Sequence, residues 1–152
     1  MRGYLRQADE EDMERLFQWA NEPAVRRNSF STEEISYKEH QEWYRKLLAG
    51  TDCKQYIYMV NDEAVGQIRL TVKGEAAEIS YSVSVEKRGM GYGKEMLGLL
   101  NEQVKQDFPR VKKLVAKVKP DNIVSQKVFC DTGYVKAYDV FEMRINIYQK
   151  AE

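Results

Sequence analysis

The sequence of 152 residues has few of the residues that build metal centres or disulfide frameworks. Its two cysteines, Cys53 and Cys130, lie far apart without a C-x-x-C pair, and its only histidine is His40. A zinc site made of cysteine and histidine is therefore excluded, and we expect no metal cofactor. Two isolated cysteines are compatible with a reducing compartment, so we expect a cytoplasmic protein.

Long apolar runs and an excess of charge of one sign are also missing. No segment approaches the roughly 20 apolar residues needed to cross a bilayer, and the first residues lack the apolar core of a signal peptide. The 24 basic residues equal the 24 acidic ones, whereas general nucleic-acid or anionic-membrane binders normally carry a basic excess. We therefore expect neither a nucleic acid nor a membrane as a partner.

The sequence also contains no signal of a boundary between domains. The chain has three prolines, no linker rich in glycine or serine, and no repeat. Its length is close to that of one domain, and its content of 43% apolar and 11% aromatic residues is enough for a core. The sequence thus predicts one folded domain over residues 1–152.

Helix and strand signals alternate along the chain. Asp9, with Asp12 three residues later, and Ser36 begin capping boxes that predict the starts of two helices. Apolar periodicity then predicts a strand at 3–8, helices at 9–20 and 36–50, strands at 55–60, 65–72 and 78–85, a helix at 94–104, a strand at 111–119, a helix at 122–130 and a β-rich segment at 134–148. The three consecutive strands predict an antiparallel meander with short turns. This order indicates the α+β or α/β class, with a mixed sheet covered by helices.

A glycine-rich segment joins the last strand of the meander to the next helix. It consists of Arg88-Gly89-Met90-Gly91-Tyr92-Gly93, followed by Lys94. Glycines let a bulky anion approach the backbone N–H groups, and the helix N-terminus adds about half a positive charge. Arg88 supplies forked donors suited to phosphate oxygens. The spacing matches neither the Rossmann nor the P-loop motif, so a turn that only relieves backbone strain is the alternative for this segment alone.

Arg-Gly-x-Gly-x-Gly between an apolar strand and a helix resembles the acyl-CoA signature of the GNAT superfamily of N-acetyltransferases. Further segments resemble that family in register: residues 5–19, residues 61–72, and Asn122-Ile-Val-Ser125 through Phe129 to Gly133-Tyr134. The resemblance implies a mixed central sheet of six to seven strands with about four helices, in which the strand at 78–85 is splayed from the strand at 111–119. It also implies an acetyl-CoA-dependent N-acetyltransferase that transfers the acetyl group directly in a ternary complex.

The same resemblance assigns residues to acetyl-CoA, the co-substrate. It implies that the pantetheine arm pairs with the backbone of Val83 and Val85 between the splayed strands, and that the amides of residues 88–93 hold the pyrophosphate. Lys94 is a further expected cofactor-binding residue. Asn122 and Ser125 fall where relatives contact the pantetheine or the ADP end. Ordinary helix capping, with Asn122 as N-cap and Ser125 three residues on, is an equal alternative for these two.

Acetyl transfer to an amine needs a base for the amine and often a proton for the departing thiolate. Relatives often carry a carboxylate at the strand position of Glu78, so Glu78 is the candidate base, acting through water. The alternative is that Glu78 is only a solvent-facing residue of its strand. The family acid is commonly a tyrosine where this sequence has Phe129, and a phenyl ring cannot donate a proton. Tyr134, Tyr81 and Ser125 are substitutes, and we take Tyr134 as the candidate acid. A thiolate can also leave with help from solvent alone.

The acceptor amine is expected beside the first two predicted helices. There the pattern W-x-N-x-P-x-V-R, ending at Arg26, is followed by Asn28 and by H-x-x-W at His40 and Trp43. This pattern resembles acetyltransferases of nucleotide-linked amino sugars, such as those of pseudaminic acid biosynthesis. It implies that Arg26 and Asn28 contact a nucleotide diphosphate and that His40 and Trp43 line the site. Alternatively, these residues do not bind an acceptor: the tryptophans pack in the core and the arginines are solvated at the surface.

Two other functions share most of these features. Protein N-terminal and polyamine acetyltransferases share the same order of elements. The acidic Glu33, Glu34 and Glu39 are residues that a cationic polyamine would bind. A non-catalytic acyl-CoA-binding module fits the phenylalanine at position 129. The β-rich segment at 140–148 also indicates that a homodimer could form through a strand edge.

Overall fold

A computed structural model describes residues 3–145 of the chain. Five strands form one mixed sheet in the order β1-β2-β3-β4-β5, in which the first four strands are antiparallel and β5 is parallel to β4. The strands are β1 (Gly3–Gln7), β2 (Cys53–Val60), β3 (Glu63–Lys73), β4 (Ala76–Val83) and β5 (Lys113–Ala116). The meander is as predicted, with positive φ at Asn61 and Asp62 in the tight β2–β3 turn and at Gly74 in the β3–β4 turn.

The prediction of six to seven strands is wrong for the described part of the chain. Residues 134–145, expected to be β-rich, contain no strand, and residues 146–148 of the same predicted segment lie outside the described residues. Strand propensity alone does not make a strand, because a ladder needs a partner edge, and this segment pairs with none among residues 3–145. The α+β class with a mixed sheet is confirmed.

Within the described part of the chain, five α-helices flank the sheet: α1 (Met13–Ala20), α2 (Pro23–Asn28), α3 (Tyr37–Ala49), α4 (Tyr92–Asp107) and α5 (Ile123–Asp131). The short α2 was expected to be a polar connection. Pro23 stops α1 but also stands at the first position of α2, where its missing N–H costs nothing, and the Glu22 side chain caps the helix by accepting from the Val25 N–H. The expected caps at Asp9 and Ser36 are both present.

The helices cover both faces of the sheet. On one face, α4 and α5 pack over a core that includes Tyr56, Ile68 and Leu100. On the other face, Leu16 of α1 and Tyr44 of α3 pack with Ile57 of β2. Among residues 3–145, no helix is long and apolar enough to cross a membrane.

An opening beside β4 fixes the position of the site. β5 pairs with the first half of β4, from Ala76 opposite Lys113 to Ile79 opposite Ala116, and then ends. The second half of β4, residues 80–83, therefore has a strand only on its β3 side in the described chain. This free stretch of strand edge is the gap that the resemblance implied.

Candidate active site

The glycine-rich loop lies at the mouth of this opening and leads directly into α4. Gly89 and Gly91 have φ values of +78° and +83°, a conformation that side chains other than glycine rarely adopt. Gly91 is the N-cap of α4 and has no side chain with which to cap the helix. The positive end of the helix dipole and a backbone that a bulky group can approach make a ready site for a phosphate anion.

Gly93 is needed for a different reason, which is close packing. A Cβ atom at this position would lie 3.2 Å from the Tyr81 ring and 3.8 Å from both Val83 and Val128. The first turn of α4 therefore rests directly on β4 and α5. This contact fixes the helix N-terminus beside the free edge of β4.

Arg88 connects the glycine-rich loop to the opposite side of the opening. Its Nη2 lies 3.0 Å from the Glu22 carboxylate, and its Nε donates to the Val83 carbonyl at 3.0 Å. The hydrogen bond from Arg88 lowers the pKa of Glu22, outweighing the effect of its partial burial. The guanidinium thus occupies a backbone acceptor of the free β4 edge and ties it to the start of α2.

A small cleft of about 210 Å³ lies between the helices and the end of β4. Its walls come from the end of α1, the start of α2, and the chain from β4 into the glycine-rich loop. The lining residues are Gln18, Trp19, Glu22, Val25, Ser82, Val83, Ser84, Val85, Glu86 and Arg88. Val83 and Val85, two of the predicted cofactor residues, thus line the same cleft as Arg88. Val85 lies beyond β4, in a short 3-10 helix over Val85–Lys87.

A larger cavity of about 610 Å³ adjoins this cleft and is strongly acidic. The two share Gln18, Trp19, Ser84 and Glu86. The carboxylates that line the larger cavity are those of Glu11, Glu14, Asp62, Glu63 and Glu86. Its one basic lining side chain is Arg15, which is bonded to Asp12 at 2.8 Å. Lys87, outside the lining, lies 3.5 Å from the Glu63 carboxylate, so four of the five carboxylates have no basic ion-pair partner among the described residues. The electrostatic potential of this cavity therefore favours a cationic ligand.

An aromatic group lies on the other face of β4, against α5. Phe129 contacts the rings of Tyr81 and Tyr134 edge-on, with centroid distances of 5.4 and 4.9 Å. The Tyr81 hydroxyl is 3.1 Å from the Ser125 hydroxyl. The Tyr134 hydroxyl is buried without a hydrogen-bond partner in the described structure, and burial raises its pKa to about 12. Tyr134 is thus a protonated donor with no acceptor.

Asn122 and Ser125 both take part in capping α5. The Asn122 side chain accepts a hydrogen bond of 3.3 Å from the Ser125 N–H, which is the capping geometry considered as an alternative. Capping uses the Asn122 side-chain oxygen and the Ser125 backbone. The Ser125 hydroxyl faces Tyr81 of β4.

Glu78, the candidate base, lies on β4 but away from both cavities. Its carboxylate is 3.5 Å from Lys73 Nζ and 3.4 Å from Lys117 Nζ. Its side chain is on the same face of β4 as that of Ser82, four residues along, which is about 13 Å at the usual rise of a strand. The structure therefore surrounds Glu78 with cations and separates it from the cleft that Ser82 lines.

The four predicted acceptor residues are not gathered in one cleft. Arg26 makes hydrogen bonds to the carbonyls of Ala20, Ser31 and Glu33 and to the Ser29 hydroxyl. This pattern is that of a residue that holds a loop together. Asn28 ends α2, next to this loop.

His40 and Trp43 belong to an aromatic group along α3. His40 is buried, its Nε2 is 3.2 Å from the Met13 carbonyl, and burial lowers its pKa. The Trp43 ring lies 5.1 Å from the Arg69 guanidinium in a cation–π contact. Both side chains therefore have structural partners within the chain.

Sequence reasoning missed most of the residues that line the small cleft. Glu22 was only a spacer in the tryptophan-containing pattern, and its partner Arg88 is 66 positions away. Gln18 and Glu86 belong to no recognisable sequence motif. The available signal was weak, consisting of Pro23, since proline is common at the first position of a helix.

The mixed sheet opens beside its fourth strand, and the glycine-rich N-terminus of α4 lies at this opening, an arrangement that suits a phosphate-bearing ligand. The family model of the acetyltransferase (GNAT) domain matches residues 2–135. The chain belongs to this family and is an acetyl-CoA-dependent N-acetyltransferase. The predicted enzyme class is confirmed. The comparison with curated proteins found no match.

Solved structures of several acetyltransferases share this fold. Spermidine N-acetyltransferase from Vibrio cholerae, in complex with CoA and spermine, has a TM-score of 0.82 and 17% identity over 95% of this chain and 88% of its own. Aminoglycoside acetyltransferase AAC(6')-Ib, with ribostamycin and coenzyme A, has a TM-score of 0.78 and 21% identity over 90% of this chain and 85% of its own. RimL, a ribosomal-protein alpha-N-acetyltransferase, has a TM-score of 0.74 and 20% identity over 85% of this chain and 77% of its own.

The residues at the opening fit acetyl-CoA. The glycine-rich loop offers the positive end of α4 for a pyrophosphate, and the unpaired half of β4 offers backbone groups for the amides of a pantetheine arm. Arg88, paired with Glu22 and with the Val83 carbonyl, holds the two sides of the opening together. No group of three His, Cys, Asp or Glu side chains able to hold a metal ion lies among residues 3–145.

Proposed function

We propose that the acceptor is a polycationic amine, such as a polyamine or an aminoglycoside, and that it binds in the acidic cavity. The observation that carries the proposal is the set of five carboxylates beside a single arginine in the cavity that adjoins the small cleft. An amine entering from this cavity meets the end of β4 at Ser84 and Glu86, which line both cavities. Two of the structural neighbours are enzymes named for such acceptors.

The nucleotide-linked amino sugar is the competing hypothesis. It requires cations for the diphosphate, and Arg26 was the leading candidate. Four hydrogen bonds within its own loop already hold the Arg26 guanidinium. The acidic cavity would repel a diphosphate, so charge favours the polycation.

In the proposed reaction the thioester supplies the acetyl group, and the chain's own residues orient the two substrates. The N-terminus of α4 holds the phosphates, and the free edge of β4 holds the arm in an extended form. Arg88 keeps the two sides of the opening together through Glu22 and the Val83 carbonyl. Carboxylates of the acidic cavity bind the distal ammonium groups of the acceptor, which directs one terminal amine toward Ser82 and Ser84. Positioning of this kind supplies much of the rate in direct transfer.

Neutralising the acidic cavity should weaken the polycationic acceptor selectively. For the double variant Glu14→Gln/Glu63→Gln we expect KM for spermidine to rise about 25-fold, at about 1 kcal/mol for each exposed charge pair. KM for acetyl-CoA should not change. The measurement is release of free CoA against spermidine, ribostamycin, a UDP-linked amino sugar and a Ser-started peptide.

The matched control is Glu102→Gln, which removes an exposed carboxylate of α4 paired only with Lys105. It should leave KM for spermidine unchanged, whereas the wild-type KM should rise with added salt because exposed charges are screened. Turnover of the UDP-linked sugar without turnover of spermidine or ribostamycin would show that the acceptor proposal is wrong.

Tyr134 is proposed as the proton donor to the departing thiolate. Its hydroxyl has no partner in the described structure, and its pKa of about 12 keeps it protonated at any ordinary assay pH. For Tyr134→Phe we expect kcat to fall about a hundredfold, the lower range for loss of a general acid. KM for acetyl-CoA and the melting temperature should stay the same, because removing an unpaired hydroxyl breaks no hydrogen bond.

Tyr138→Phe is the control, since the Tyr138 side chain is largely exposed. An unchanged kcat in Tyr134→Phe would instead mean that the thiolate leaves with help from solvent. Glu78 remains the proposed base. If Glu78 acts through water, Glu78→Gln should lower kcat about a hundredfold, whereas a purely structural ion pair with Lys73 and Lys117 predicts an unchanged kcat.

A further inference from the structure

A row of polar side chains crosses the sheet and ends at the small cleft. Gln55 of β2, Gln67 of β3 and Ser82 of β4 are joined by side-chain hydrogen bonds of 2.6 and 3.0 Å. Gln67 and Ser82 are directly opposite each other in the β3–β4 ladder, so their side chains share one face of the sheet. Gln55 is buried, whereas Ser82 lines the cleft. The row therefore connects the interior of the protein to the cleft.

Two backbone carbonyls fix the orientation of the Gln55 amide. Its Nε2 lies 3.1 Å from the Ile68 carbonyl and 3.4 Å from the Tyr56 carbonyl. An amide oxygen in this place would face two acceptors, so the nitrogen has to lie here. The same nitrogen donates to Gln67 Oε1. The Gln67 amide oxygen is thereby committed to Gln55, and its nitrogen is turned toward Ser82.

The direction of the last hydrogen bond follows from this order. Gln67 Nε2 donates to Ser82 Oγ at 3.0 Å, so the Ser82 hydroxyl is the acceptor. A hydroxyl also carries one proton that it can donate, and among residues 3–145 no group accepts the proton of Ser82. That proton is therefore left for a ligand in the cleft that Ser82 lines.

We propose that Ser82 is a further catalytic residue, whose hydroxyl donates to the acetyl carbonyl oxygen as that oxygen becomes negative. Gln67 and Gln55 are its positioning residues. A donor that is oriented before the reaction stabilises the oxyanion without having to reorganise. The proposal rests on the placement of the acetyl group beside Ser82 in the proposed function, and it does not depend on the identity of the acceptor.

Ser82 keeps its proton throughout the proposed step. The amine nitrogen bonds to the acetyl carbon, and the carbonyl electron pair moves to the oxygen. That pair returns as the C–S bond breaks, and the sulfur keeps the electrons of the broken bond. The nitrogen loses one proton to the base, and the sulfur gains one from the acid or from solvent, as proposed above. Ser82 contributes only a hydrogen bond, which is strongest when the oxygen carries its charge.

The substitution Ser82→Ala tests the catalytic role through kcat. The assay is release of free CoA at saturating acetyl-CoA, with the amine of the panel above that reacts fastest, and melting curves show that each variant is folded. We expect kcat to fall about a hundredfold, the lower range for loss of one oxyanion donor. Both KM values should stay within about twofold of the wild type, because the hydrogen bond is strong only in the transition state.

The substitution Gln67→Glu tests the positioning role, because it reverses the last hydrogen bond with almost no change in shape. An ionised carboxylate only accepts, so it keeps the bond from Gln55 but takes the proton of Ser82 for itself. We expect the same loss of about a hundredfold in kcat. The double variant Ser82→Ala/Gln67→Glu should be within about twofold of Ser82→Ala, because both changes remove the same donor.

Gln106→Glu is the matched control, since it makes the same change at an exposed position near the end of α4, and its kcat should not change. If Gln67→Glu does not fold, Gln67→Met replaces it, because a thioether also donates no hydrogen bond, and kcat should fall at least tenfold.

A kcat within fivefold of the wild type in Ser82→Ala overturns the catalytic role of Ser82. The same result in the Gln67 variant overturns the positioning role, as does a double variant more than fivefold slower than Ser82→Ala, since the new charge would then act on the reaction directly. The acceptor proposal is tested by KM for spermidine, so its failure is seen separately from a failure of this one.

Discussion

The Gly91→Glu variant is expected to lose about a thousandfold in kcat/KM for acetyl-CoA, the upper range for removing preorganised donors from an anion. Gly91 is the N-cap of α4 and has a φ of +83°. A carboxylate at this position repels the pyrophosphate and competes for the N–H groups of the helix end. Binding of CoA, followed by calorimetry, should fall below detection. The acceptor cavity is untouched by this substitution.

Gly74→Glu is the matched control for backbone strain. Gly74 also has a positive φ, +64°, and an added Cβ there would meet nothing within 4 Å. A side chain in this conformation costs about 1–2 kcal/mol, so both variants should melt about 2–8 °C below the wild type. Only Gly91→Glu should lose CoA binding. If it binds CoA as the wild type does, the anion site is not at this helix end.

Local chemistry explains which parts of the fold could be predicted from the sequence. The cap at Asp9, the turn at Asn61 and the glycine-rich entry to α4 depend on residues within a few positions of one another, and all three are present. The strand count failed because residues 134–145 need a partner edge, and none of residues 3–145 pairs with them. Pairing of that kind depends on tertiary contacts, which propensity does not encode.

The same distinction between local sequence signals and tertiary contacts explains which site residues could be predicted. The cofactor loop has a contiguous motif, and its position between strand and helix followed from that motif. The cleft combines side chains from α1, α2 and the end of β4, so its charge is visible only when these elements are assembled. Arg26 and His40 were assigned to the acceptor because of their residue types. Their burial and their internal hydrogen bonds could not be derived from spacing.

A buried ion cluster at Asp12 connects β1 to the start of α1. Asp12 is 1% exposed, and its carboxylate accepts from both terminal nitrogens of Arg6 and from Arg15, each at 2.8 Å. It also accepts from the Asp9 N–H at 2.9 Å, completing the capping box. Asp12 was expected only as the second member of that box. With the two arginines, its carboxylate accepts four hydrogen bonds.

Asp12→Asn should therefore destabilise the protein by about 3 kcal/mol. Removing one partner of a buried ion cluster costs about 3–5 kcal/mol, and the lower value applies because the Arg6 and Arg15 side chains are 31% and 42% exposed and stay hydrated. The melting temperature should fall by about 6–12 °C. Asp52→Asn, which changes an exposed aspartate, should have little effect.

The effect of Asp12→Asn should also depend on pH in one direction. Burial alone would raise the pKa of Asp12, but the hydrogen bonds from Arg6 and Asp9 and the charges of Arg6 and Arg15 outweigh it, so the pKa is lowered. The carboxylate thus stabilises the fold above its unfolded pKa, about 3.9, and this contribution disappears as the pH falls through the folded pKa. The difference in unfolding free energy between wild type and variant should be constant from neutral pH to about pH 5 and shrink below pH 4. A difference that grows on acidification would mean that Asp12 is protonated in the native cluster.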